Sequence, residues 1–373
     1  MKKALALCVM VLLSIPSFAI SYMFDFRPSN AVTCITHDEA NIYCATRHKG
    51  LAVIDKKTGT ITWYTRENGS LPSNNLQYIT IHDGKLFVSD FNLGAITCVD
   101  DHETDTLRIS NIESFSNIFF AADDKMIASY GGYVDVYRNG VRTDSVTINP
   151  MILDGAVWKM KSDSQGVLWI ASQTLKPYHG LTTYTLQDGF SFVFEGKSEL
   201  PFDGSSARGL AIDQNDHIWF CSGSGHLVDY YGDSFQVHNL GFVAEDMSFD
   251  ESGRLWMITH KGELKSFEDC QVKSYSCEVK NAIGYCLDVD GDAIYFGTDN
   301  GLFKYSDGEF VVFDFSDSPA LIEGPNIQLS ASVQGSWFDL QGRRVANSSE
   351  FQGSSFKLPK GVYIQNGRKY VVK

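Results

Sequence analysis

The chain repeats itself about every 40 residues, and the repeat is built from short strands and turns. The clearest copy, "DESGRLWMITHKGELKSF", runs from Asp250 to Phe267. Asp213, Trp219, Gly225 and Leu227 each stand 37 residues before Asp250, Trp256, Gly262 and Leu264. Tyr295, Thr298 and Gly301 each stand 39 residues after Trp256, Thr259 and Gly262. "DSQGVLWIAS" (Asp163 to Ser172) is a further copy, with Gly166 and Trp169. Nearer the start, "RPSNAVTCIT" and "LPSNNLQYIT" align at a shift of 44, which carries Tyr43 onto Phe87 and Gly50 onto Gly94. A degenerate copy runs from Ile118 through "ADDKMIASYGGYVDVY". The anchors Tyr43, Phe87, Ile127, Trp169, Trp219, Trp256 and Tyr295 mark seven units.

A period near 40 made of strands specifies a β-propeller with four strands per blade. Apolar and polar residues alternate in "GLAVID", "GLFKYSD" and "EFVVFDF", as half-buried strands require. The expected fold class is therefore all-β, a seven-bladed β-propeller of four antiparallel strands per blade, with a small C-terminal β module. Asp250 to Gly253 reads as the turn between strands one and two of a blade, because Asp bonds its own turn and Gly accepts positive φ. Leu255 and Trp256 begin strand two, Gly262 makes the next turn and Leu264 begins strand three. A large ring at the anchor fills the wedge between neighbouring sheets, burying on the order of 200 Å²; the alternative role, a sugar-stacking platform, is the weaker expectation.

The domain boundaries follow from composition. Two lysines, an apolar run from Ala4 to Leu13, and small residues Ser17 and Ala19 make residues 1–19 a secretory signal peptide; a retained anchor is the alternative. Residues 22–316 form the propeller, 317–334 with Pro319 and Pro325 a linker, and 335–373 the C-terminal module. No later stretch reaches the roughly 18 apolar residues of a spanning helix, so the expected location is the periplasm, cell surface or medium, with no membrane span after cleavage. Formal net charge is −14. From Trp337 onward Arg343, Arg344, Lys357, Lys360, Arg368, Lys369 and Lys373 oppose only Asp339 and Glu350, so the body is more acidic still. That argues against nucleic acid and anionic membranes as partners. Seven cysteines follow the signal peptide, without zinc spacing. Cys34 and Cys44 flank the turn at Asp38–Asn41, either as a hairpin disulfide or as buried thiols.

The pattern Asp-x-x-Gly-x-Leu-Trp-x-x-Thr-x-x-Gly-x-Leu of Asp250 to Leu264 resembles the repeat of the two-component-regulator propeller family, and Leu71-Pro-Ser-Asn74 resembles its blade linker. The resemblance covers about Phe24 to Phe315. It implies a periplasmic sensor-like propeller of the Bacteroidota, often glycan-sensing, although the sequence carries no transmembrane helix, kinase or DNA-binding segment. Asp339-Leu-Gln-Gly-Arg-Arg-Val, Leu358-Pro-Lys-Gly-Val-Tyr and the terminal Val-Val-Lys are similar to the type IX secretion sorting domain. "LAIDQNDHIWF" (Leu210 to Phe220) also resembles streptogramin lyases and lactonase-type propellers.

Loops leading into strand one and loops joining strands two and three lie on one face, where the central channel opens. The first set carries Asn30, Asn74, Asn75, Asp154, Arg208, Glu245, Asp246 and Asn281; the second carries His48, His179, His260 and Asp299. The same His-Lys-Gly recurs at His48 and His260, and the longest loop, Gln173 to Gly180, presents Tyr178. The ligand-binding candidates are His48, Asn74, Tyr178, His179, Arg208, Asp246, His260 and Asp299; ordinary loop polarity is the competing explanation for each. No catalytic residue, metal ligand or cofactor is assigned. Three functions compete: a non-catalytic, sensor-like binder of glycan or protein; a lyase or lactonase using converging histidines and carboxylates; and a structural surface protein. Asp288-x-Asp-Gly-Asp292 reads as a hairpin turn, since Gly291 is misplaced for a calcium loop and no glutamate closes it.

Overall fold

The computed structural model describes residues 30–91, 93–99, 104–108, 116–121, 126–130, 132–148, 157–173, 180–193, 206–232, 234–275, 282–313 and 315, and residues 336–339, 344–347, 361–365 and 368–372. They fall into two compact units that divide after Phe315. The first holds seven antiparallel sheets, each of four consecutive strands paired in chain order: 32–64, 76–108, 117–147, 157–192, 207–239, 244–275 and 284–313. The first strands touch one another in sequence, and that of the seventh sheet, Gly284–Asp290, returns to that of the first, Val32–His37. The protein is a seven-bladed β-propeller, and no helix occurs among the described residues. In the second unit Trp337 and its neighbours (Ser336–Asp339) pair with both Arg344–Asn347 and Gly361–Gln365, and the latter with Arg368–Val372.

Every anchor named from the sequence packs between its own blade and the next. Trp169 lies against Leu210 and Ile218, Trp219 against Met247 and Leu255, and Trp256 against Leu287 and Ile294. Ile127 does the same in the degenerate third blade, against Val157 and Met160, and Tyr295 closes the series on Val32 and Ile42. These rings fill the wedges between blades, Trp256 and Tyr295 buried and Trp169 and Trp219 partly so.

The spacing from Asp to the anchor has a hydrogen-bonding cause. In blade six Asp250 Oδ1 accepts from the amides of Ser252 and Arg254 at 2.9 and 3.0 Å, while Oδ2 accepts from Trp256 Nε1 at 2.8 Å. One carboxylate thus shapes the turn and holds the ring. Asp163 with Trp169 (2.9 Å) and Asp213 with Trp219 (3.4 Å) repeat the device, and Asp38 receives the Tyr43 hydroxyl at 2.6 Å in blade one. Gly262, at φ +69°, is fixed by space as well: a Cβ there would lie 2.8 Å from Ala282 Cβ.

The ring closes through side-chain contacts, with no strand exchanged among the described residues, because each blade draws all four strands from one segment. Cys286, Leu302 and Tyr295 of blade seven join Val32, Ile35 and Ile54 of blade one in a buried cluster. Charge reinforces it: His37 Nδ1 lies 2.6 Å from Asp288, and Lys56 Nζ 2.5 Å from Asp290. These pairings also place Asp288 and Asp290 on a strand, with Gly291 (φ +56°) in the hairpin turn. Past the last blade, the buried Lys49 ammonium donates to the Phe315 carbonyl, and Trp63 meets the Phe315 ring edge-on at 5.2 Å.

Cys34 and Cys44 are free, buried thiols. Cys44 pairs with Ile35, one residue along from Cys34, so the two sulfurs fall on opposite faces of the sheet, Cys34 toward blade two and Cys44 toward blade seven. The hairpin disulfide is excluded by that alternation. Burial pushes the Cys34 thiol up to about 11. Residues 1–19 and 317–334, the expected signal peptide and linker, lie outside the described residues.

Candidate functional site

Six of the seven first strands open with a register shift. The residues left between paired positions are Thr33, Gln77, Trp158, Arg208, Glu245 and Tyr285 (with Gly209 beside Arg208). A β-bulge re-aims a side chain, and here all six line one cavity of about 210 Å³ at the mouth of the channel. Asn117 takes the equivalent place in blade three, where pairing is regular.

The mouth residues are tied across blade boundaries. Thr33 Oγ1 donates to the Leu76 carbonyl at 3.1 Å, and Asn117 Nδ2 to that of Val157 at 3.0 Å. Gln77 Oε1 accepts from buried Arg47, 2.7 Å away, whose guanidinium lies over Phe91. The densest group spans blades four to six. Arg208 lies over the Trp158 ring at 4.2 Å and its Nη1 is 3.1 Å from Glu245 Oε2, while His260 Nδ1 is 2.9 Å from Glu245 Oε1. Trp158 Nε1 and Arg208 Nε are buried and unbonded among the described residues. They are unsatisfied donors where donors ordinarily find partners.

A floor lies beneath the mouth. Lys159 Nζ reaches across from blade four to Asp246 of blade six at 2.6 Å, and the same Asp246 oxygen accepts from the Leu287 amide of blade seven at 3.0 Å. Lys161 Nζ donates to the Met247 carbonyl at 3.0 Å. Burial opposes charge on both lysines. The Asp246 carboxylate outweighs it at Lys159, whose pKa is raised, and does not at Lys161, whose pKa is lowered. Asp246 is thus a buried structural counter-ion, not a ligand-facing group.

Beside the mouth, between blades five and six, opens a cleft of about 550 Å³. Arg208, Glu245 and His260 line both cavities; Phe242, Lys261, Glu263 and Lys265 line the cleft alone. Lys265 Nζ lies 3.3 Å from Glu263 and 5.1 Å from the centre of the Phe242 ring.

Of the residues expected at the site, Arg208 and His260 come together. Asn74 instead ties the blade linker: its Oδ1 accepts from the Arg66 amide at 2.7 Å and its Nδ2 donates to Glu67 at 2.6 Å. Asp299 accepts from the Ile283 amide at 2.8 Å, pinning the loop into blade seven. His48, half-buried in blade one, lines neither cavity. Tyr178 and His179 lie outside the described residues. Among those described, no three His, Cys, Asp or Glu side chains converge as a metal site. Glu245 stands on a loop that the sequence marks as site-facing, whereas Trp158, Gln77 and Tyr285 carry no motif that marks them. The available signal was distance: each bulge residue stands ten or eleven positions before its blade's anchor, as Glu245 does before Trp256.

No protein-family model matches the chain, and no curated protein matches its sequence. Solved structures of similar fold exist. Virginiamycin B lyase from Staphylococcus aureus is 14% identical, with a TM-score of 0.62 over 74% of this chain and 94% of the lyase. The extracellular domain of a putative one-component system from B. thetaiotaomicron is 15% identical, with a TM-score of 0.59 over 74% of this chain and 38% of that one. The WD40 propeller domain of Doa1 is 16% identical, with a TM-score of 0.57 over 74% of this chain and 93% of that domain. The likeness is one of fold, shared by an enzyme, an extracellular domain and a WD40 propeller.

Proposed function

We propose that the protein is an exported, non-catalytic propeller that binds a ligand, glycan or protein, on the face carrying the strand 4–1 and strand 2–3 loops. One observation carries the reading: six blades place a β-bulge at the same point and turn its side chain into one cavity. Bulges interrupt the ladder and recur where a side chain must be aimed. Lys159, which lines the cavity, is tied across the channel to Asp246, which favours a cup that seats a ligand over a conduit. Aromatic, amide and charged groups share the rim, the mixture a recognition site needs. The extracellular domain among the structural neighbours supports export and a sensor-like role. The test is a glycan array and a panel of secreted proteins probed with the purified chain, followed by titration of each hit against Arg208→Ala. Saturable binding that weakens in the variant supports the reading; hits bound equally by both, or none, oppose it.

A second reading rests on His260 and Glu245, 2.9 Å apart beside an open cleft. An imidazole oriented by a carboxylate is a general-base arrangement, and the lyase neighbours share the fold. Turnover of a cyclic depsipeptide or lactone, abolished in His260→Ala with the melting temperature retained, would establish it.

A further inference from the structure

The same tripeptide, His-Lys-Gly, closes the loop between strands two and three in blades one and six. In blade one the lysine is structural: Lys49 is 2% exposed and its ammonium is bound to the Phe315 carbonyl. In blade six Lys261 is exposed, lines the cleft and has no ion-pair or hydrogen-bond partner among the described residues. Packing explains the first lysine and not the second.

The charges around Lys261 are already assigned. Glu245 is held by both Arg208 and His260, and Glu263 by Lys265. Arg208 keeps a buried Nε–H without an acceptor. The lining therefore carries one cation in excess with His260 neutral, and two with it charged, on a chain whose net charge is −14. A basic hollow in an acidic surface concentrates anions against the long-range field. Between the charges sits the half-buried Phe242 ring, and the two glutamates offer acceptors beside the lysine donors. Sugars need that combination: an aromatic face for ring C–H groups, and donors and acceptors together for hydroxyls. The first strands on either side, Ala207–Ile212 and Ala244–Phe249, pack together so closely that a Cβ on Gly209 would lie 2.7 Å from Met247. Among the described residues, the cleft lining takes none from the outer fourth strands of blades five and six, the edges an extended peptide would join.

We infer that the cleft between blades five and six is a subsite for an acidic sugar, with Lys261 receiving the carboxylate and Phe242 the ring face. The inference rests on the ligand-binding reading above and narrows it to carboxylated glycans. A charge-assisted bond from an exposed lysine corresponds to about a tenfold change in affinity, and it weakens as salt rises.

The test is calorimetric titration of the full chain with a galacturonic acid tetrasaccharide and with its carboxyl-reduced, neutral counterpart. The expected result is binding of the acidic sugar that falls about tenfold in Lys261→Ala, falls further in Lys261→Glu, and weakens with salt. The neutral sugar should bind more weakly and ignore both substitutions. Since Lys261 is exposed, unchanged melting curves verify that the variants are folded. Equal binding of both sugars, or indifference to Lys261, overturns the carboxylate subsite and leaves ligand binding standing. Failure of both sugars, with a protein hit that depends on Lys261, overturns the sugar assignment. Failure of these sugars together with every glycan and protein probed overturns the binding reading itself.

Discussion

Asp250 and Trp256 are joined by a 2.8 Å hydrogen bond from the indole to the carboxylate that also caps their shared turn. The pair links a turn on one face of the molecule to a ring wedged between blades six and seven. Burial pushes the Asp250 carboxyl up, but the bonds from Ser252, Trp256 and the turn amides outweigh it and hold the group below its ordinary value. Its folded pKa is therefore depressed, so its contribution is present above the unfolded value near 4 and is lost as pH falls through the folded one. Asp250→Ala removes both functions and should destabilise the protein by about 2–3 kcal/mol, read from urea unfolding at neutral pH. The difference from wild type should shrink in acid.

The buried ion pair across the channel behaves differently. Asp246→Ala leaves Lys159 charged without its carboxylate and the Leu287 amide without an acceptor. Breaking such a pair costs about 3–5 kcal/mol, whereas replacing both partners with apolar groups is often tolerated. Denaturant unfolding should show Lys159→Met with Asp246→Leu more stable than Asp246→Ala alone.

Ring closure has its own pH signature. The bond to Asp288 raises the His37 pKa above its ordinary value, against the opposing effects of burial and of Lys56, with Asp290 adding to the rise. A raised folded value means a contribution fully present below the unfolded value of about 6.5 and lost as pH climbs through the folded one. Melting temperature measured from acid to alkaline pH should show wild type exceeding His37→Gln at low pH, with the gap closing above neutrality.

The same seam admits no extra methyl group. A Cβ on Gly297 would lie 2.5 Å from Cys286 Sγ and 2.7 Å from Val32 Cγ1. Both are buried in the cluster that joins blades seven and one. Gly297→Ala should cost about 1–3 kcal/mol through overpacking, seen as a lower urea midpoint.

How much of this was legible beforehand depends on what each residue does. Asp250, Trp256 and Gly262 recur because neighbouring sheets pose the same packing problem seven times, so period and fold could be read together. Ile127 fits by filling the wedge as a branched chain where blade three has no Trp. The mouth was harder to read because a bulge is a register event: Trp158, Arg208 and Glu245 share a position, not a chemistry. Asn74 and Asp299 were indistinguishable from ligand-facing loop residues, since a side chain that caps a neighbouring amide has the same composition as one that greets a sugar. Only coordinates separate Lys49, tied to Phe315, from Lys261, open to the cleft.

The whole functional reading turns on ligand binding at the group around Glu245. Its most direct measurement is titration of one array-identified ligand into wild type, Arg208→Ala and His260→Ala at equal salt, with melting curves in parallel. Saturable wild-type binding is expected, at least about tenfold weaker in Arg208→Ala, with cooperative unfolding preserved. Undiminished affinity in both folded variants would contradict it.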